Sequence, residues 1–110
     1  MRKNTISVDV YLDENKIPEK IEWQAQENIE KAKAFLLAFW DGEDKTAMRI
    51  DLWTKDMMVD EMADFYYQVL LTMADTFDRA THQSELVDDL KQFAGTFYKK
   101  FREIQLKGNT

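Results

Sequence analysis

The 110-residue chain has no cysteine, which excludes disulfides, thiol catalysis and thiolate metal sites and fits a reducing compartment. Histidine occurs once, at His82, so any imidazole base or ligand would have to be that residue. A lone His three residues before Glu85 is too little for a transition-metal site, and a surface loop accounts for it. Long apolar runs are also missing. Met1 to Thr5 leads straight into an alternating pattern without the apolar segment of a signal peptide, and no run approaches the ~18 residues of a membrane span. These absences predict a cytoplasmic protein with no direct membrane insertion. Twenty-one acids against fifteen bases give a formal charge of -6, which repels a nucleic-acid duplex, so no nucleic acid is expected as a partner.

What is present suits a folded body. Apolar residues make up 45% of the chain, including three Trp, four Tyr and seven Phe. A chain of this length buries roughly 65% of its unfolded surface, enough for one domain without staples. The stretch that organises the rest is Met48 to Met62. Its first half alternates as a half-buried strand does, and its second half takes helical spacing, with the switch at Thr54 to Met57.

Before it, Ile6, Val8, Val10 and Leu12 share one parity and predict a strand over 5–13. Asp13 to Lys16 is a polar turn. Ile21, Trp23 and Ala25 continue the alternation over 17–25, with Pro18 at a strand start or edge because it cannot donate to a ladder. Gln26 to Lys33 reads as a polar connection. Residues 34–41 are apolar on both parities, and a helical stripe through Ile29, Ala32, Leu36 and Phe39 competes with a strand there. The turn cluster Asp41 to Lys45, containing Gly42, and the alternating residues 46–53 favour a strand.

Two helices follow, over about 57–80 and 84–106. Asp56 is the expected acceptor at the first start and Ser84 the expected cap of the second. Val59, Met62, Tyr66, Val69, Leu70, Met73 and Phe77 form the first stripe; Leu86, Leu90, Phe93, Ala94, Phe97, Phe101 and Ile104 form the second. The expected fold is α+β, a four-stranded antiparallel sheet followed by two long amphipathic helices packed on one face. Gly95 falls inside the second helix, tolerated there or marking a close approach. Met57, Met58, Met62 and Met73 read as core filling.

No set of side chains carries a reaction. Asp60, Glu61 and Asp64, and Glu85, Asp88 and Asp89, belong to helix starts, where the dipole stabilises acids by ~0.3 to 1 kcal/mol each. No enzyme, cofactor or metal is expected. The informative feature is the far side of the sheet, which two helices cannot also cover. Tyr11, Trp40, Arg49, Asp51 and Trp53 are assigned to that uncovered side. They are the candidate binding residues for a protein partner or a second copy.

Several runs are distinctive: Leu12 to Ile21, Lys33 to Leu37, Trp40-Asp41-Gly42, Arg49 to Met62, Met73 to Phe77, and Arg79-Ala80-Thr81. In these the chain resembles the gliding-motility protein C family (GldC) of Bacteroidetes. The resemblance implies a small accessory protein of gliding motility and its associated secretion machinery, with no catalytic residues to carry over. Two other functions fit the same residues. One is a client-binding export chaperone with the layout of SecB, and the other a small-ligand carrier with a cavity between sheet and helices.

Overall fold

The computed structural model describes residues 1–108. Five strands precede two helices: β1 Ile6–Leu12, β2 Pro18–Ala25, β3 Asn28–Ala32, β4 Ala34–Asp41, β5 Thr46–Trp53, α1 Val59–Thr81 and α2 Ser84–Gly108. The α+β class and the antiparallel pairing are as expected. The count of four strands in one sheet is corrected: there are five, in a three-stranded sheet β1-β2-β3 and a separate two-stranded sheet β4-β5. The extra strand, β3, occupies the segment read as a polar connection. It pairs with β2 from Ile21 opposite Ala32 to Ala25 opposite Asn28, through a tight turn at Gln26 and Glu27.

The chain forms two compact units, Met1–Met57 and one that begins at Met58. Each is described by itself.

In the strand unit, Ile21 is the large side chain most fully enclosed, at 1% exposure. It lies opposite Val10 on β1 and Ala32 on β3, so the middle strand places it where neighbours crowd it from both sides. The Asp13 turn closes β1 onto β2. Its Oδ1 accepts from the backbone N-H groups of Asn15 (2.8 Å) and Ile17 (3.0 Å), and its Oδ2 accepts from Lys55 Nζ at 3.1 Å. The end of β5 is tied back twice more. Thr54 N donates to Lys33 O at 2.8 Å, and Lys55 N donates to Pro18 O at 3.0 Å. Thr54 itself is buried, and its hydroxyl donates to Asp56 Oδ1. The switch region is therefore a clasp between the two sheets.

In the helix unit, α1 begins later than its acids suggested. Asp56 is engaged by Thr54 and does not cap; Met58 stands at the N-cap, and Glu61 at N3 reaches back to its N-H at 3.1 Å. Ser84 likewise lies inside α2, because Val87 N bonds back to Gln83 O. His82 ends α1 in the left-handed region at φ 55°, its N-H on Asp78 O. The helices then run antiparallel, with Tyr67 stacked on Tyr98 at 4.4 Å and Lys91 Nζ 3.5 Å from Asp75.

Their seam is Ala63, Tyr67, Leu70, Ala74 and Phe77 on α1, recurring at fours and threes, against Val87, Leu90, Ala94, Tyr98 and Phe101 on α2. Ala74 and Ala94 are wholly buried. The expected α1 stripe is thus corrected by a rotation. Val59, Tyr66 and Met73 stay exposed, because small alanines let the helices approach where larger side chains would hold them apart. Met58 and Met73 are likewise exposed rather than core filling.

Candidate functional site: the two-faced β4–β5 hairpin

An alternating strand sends successive side chains to opposite faces, and directly paired residues share a face. In the β4–β5 register Trp53 lies opposite Ala34, Asp51 opposite Leu36, Arg49 opposite Ala38, and Ala47 opposite Trp40. These eight residues form one face. The pairing gathers four of the five expected binding residues on it, with the indoles at opposite ends of the hairpin and the charges between. Trp40 is 68% exposed and Trp53 55%.

Arg49 and Asp51, two residues apart on this face, pair with each other, Nε to Oδ2 at 2.8 Å, rather than standing as free charges. The Arg49 side chain is well exposed, so the pair contributes only ~0 to 1 kcal/mol to stability. Its effect is on recognition. The guanidinium is held along the strand in a defined place, with donors left over for an incoming acceptor. Leu36, exposed and directly opposite Asp51, belongs to the same face. Its signal was the parity of 34–41, legible only once β4 is known to pair antiparallel with β5.

The other face of the hairpin is apolar along its middle: Phe35 opposite Leu52, Leu37 opposite Ile50, and Phe39 opposite Met48. Alternation had set Met48, Ile50 and Leu52 apart from the face of Arg49, Asp51 and Trp53, and on this apolar face Phe39, Met48 and Ile50 are all exposed. A two-stranded hairpin on its own is marginally stable in water, so the clasp at Thr54 and Lys55 is what holds this one to the three-stranded sheet.

Tyr11 does not share this site. It lies in the three-stranded sheet, opposite Lys20, on a face with Ser7, Asp9 and Glu22. Its hydroxyl is held by Glu22, whose hydrogen bond and negative charge raise the phenol above its ordinary value, and Lys20 Nζ sits 4.4 Å from the ring centre. Tyr11 is engaged within its own sheet.

An open hollow of about 280 Å³ lies beside the clasp, lined by Lys20, Ile21, Lys31, Lys33, Thr54 and Asp56, among others. Its walls are mainly apolar, and the cations share its rim with the acids Glu19 and Asp56. The hydroxyl of Thr54 holds the Asp56 carboxyl below the ordinary carboxylate value. Among the described residues no group of three or more acids or histidines is placed to hold a metal ion, and no helix is long and apolar enough to cross a membrane.

No curated protein and no solved structure matches the chain. The family model described as gliding motility-associated protein GldC-like matches residues 18–103, which take in β2 to β5, all of α1 and most of α2. With the hairpin and its clasp inside that match, and Tyr11 before it, the chain belongs to the GldC-like family, a family associated with gliding motility.

Proposed function

We propose that the chain is a non-enzymatic accessory protein of gliding motility and its associated secretion machinery, and that it works by binding another protein. The docking face is that of Trp40, Arg49, Asp51 and Trp53. The observation that carries this reading is the exposure of two indoles on one face of a two-stranded hairpin, with a formed ion pair between them. Exposed Trp beside Arg is the composition of binding hot spots, where the ring supplies area and the guanidinium directional bonds. The partner suited to it presents two apolar pockets flanking a carboxylate or backbone carbonyl.

A photo-crosslinking residue placed at Trp40 in gliding cells tests the reading, with the same residue at Gln68 as control. The expected result is a discrete crosslinked product containing a protein of the gliding machinery, seen at Trp40 and not at Gln68. No product at Trp40 would contradict it.

The opposite face supports a second reading. Phe35, Leu37, Phe39, Met48, Ile50 and Leu52 form an apolar strip that an extended unfolded client could lie along, as an export chaperone requires. Suppression of aggregation of unrelated unfolded chains, lost on Phe39→Ser and kept on Trp40→Ala, would favour this reading over the first.

A further inference from the structure

Helix packing leaves a second apolar seam unused. On α1, beside the buried seam, Val59, Met62, Tyr66, Val69 and Met73 recur at threes and fours, the spacing of a helix-contacting stripe. At 3.6 residues per turn the two α1 seams lie about 80° apart around the helix axis. On α2, Leu86, Phe93, Phe97 and Ile104 likewise stand about 80° from the seam centred on Ala94. Because α2 runs antiparallel to α1, the two extra stripes fall on the same side of the helical pair. Residues on the opposite side include Gln68, Asp75, Asp88 and Lys91. Phe93 is 59% exposed, and Tyr66, Met73, Leu86 and Ile104 are exposed as well.

We propose that this side is covered by the same side of a second copy, so that two helical pairs form a four-helix bundle. Two observations converge on that occupant. A helix in such a bundle touches two neighbours at roughly a right angle, which is the relation between the two seams on each helix. The area is sufficient. Helices of 23 and 25 residues, about 35 Å long and spaced about 10 Å apart, present roughly 700 Å² per copy, close to the ~800 Å² that each partner of a stable complex buries. This surface is distinct from the β4–β5 face, so it stands or falls independently of the proposed function.

The test is the mass of the intact protein by sedimentation equilibrium, together with thiol labelling. The wild-type chain should sediment at twice its 13.1 kDa, the Met73→Glu, Phe93→Glu double variant at once that mass with its helical circular dichroism retained, and Trp40→Ala still as the dimer. Since the chain has no cysteine, Phe93→Cys introduces a single thiol. Its maleimide labelling should slow at least tenfold between low and high protein concentration, while that of Gln68→Cys stays constant. A wild-type monomer at high concentration would overturn the proposal. So would a dimer that persists in the folded double variant, or Phe93→Cys labelling that ignores concentration should the double variant fail to fold.

Discussion

Asp13 shows how much one side chain can organise without being catalytic. One carboxylate oxygen closes the β1–β2 turn on two backbone N-H groups, and the other holds Lys55 at the exit of β5, forty-two residues away in sequence. The Ile17 N-H and then Lys55 hold its carboxyl below the ordinary value of 3.8, and Asp13 in turn raises Lys55. The signs follow from linkage. Asp13 stabilises the fold above 3.8, and that contribution is lost as pH falls through its lowered native value; that of Lys55 is lost only as pH rises through its raised one. The melting midpoint should therefore drop on acidification below about pH 4, and Asp13→Asn should flatten part of that drop in thermal melts followed by circular dichroism. The sequence marked Asp13 as a turn residue. Its tie to Lys55 was not legible, because the spacing that joins them exists only after folding.

Glycine positions show the same division at the residue scale. Gly95 has open space where a Cβ would stand, so it marks tolerance and not close approach, and Gly95→Ala should stabilise α2 by ~1 kcal/mol in urea unfolding. The left-handed conformations fall instead on non-glycine residues: Lys16, Gln26, Lys45 and His82. In the Asp41 turn it is Lys45, at φ 56°, and not Gly42, that takes the positive φ. Gln26, at φ 76°, forms the tight β2–β3 turn, where Asn-Gly or Asp-Gly would have announced a hairpin. That missing signal is why β3 was read as a connection. Gln26→Gly should relieve the positive φ and raise stability by up to ~1 kcal/mol, measured as the shift in urea midpoint at constant slope.

Elements with strict alternation or long periodicity were readable in advance: β1, β2, β5 and both helices lie within a few residues of their expected bounds. β4 was legible only through its partner, since apolar residues on both parities do not separate strand from helix. The face of α1 was misplaced for a physical reason. Apolar weight favours Met62, Tyr66 and Met73, whereas the helices meet on Ala63 and Ala74, whose smallness lets the axes approach. If that seam is right, Ala74→Leu has nowhere to put three more carbons and should cost ~1 to 3 kcal/mol, whereas Met73→Leu beside it should change stability by less than ~1.5 kcal/mol. Thermal unfolding of the pair of variants checks the contrast.

At the scale of the whole chain, each unit carries its own uncommitted apolar surface, and the two surfaces differ in kind. The helical pair offers repeating seams suited to another pair of helices. The β4–β5 hairpin offers separated aromatic rings around an ion pair, suited to a shaped partner. The candidate residues could be grouped from sequence because alternation alone puts Arg49, Asp51 and Trp53 on one side of a strand. Trp40 joined them through the register, and Tyr11 dropped away because the strands divide into two sheets. Membership of the GldC-like family supplies the cellular setting, and the hairpin supplies the surface on which it would act.

The central claim is that the indole face of the hairpin is what the protein uses in gliding, and colony spreading by a gliding strain whose only copy carries Trp40→Ala and Trp53→Ala tests it most directly. With the variant present at normal cellular level and its circular dichroism unchanged, the account predicts that spreading is lost. Spreading at the wild-type rate under those conditions would contradict it.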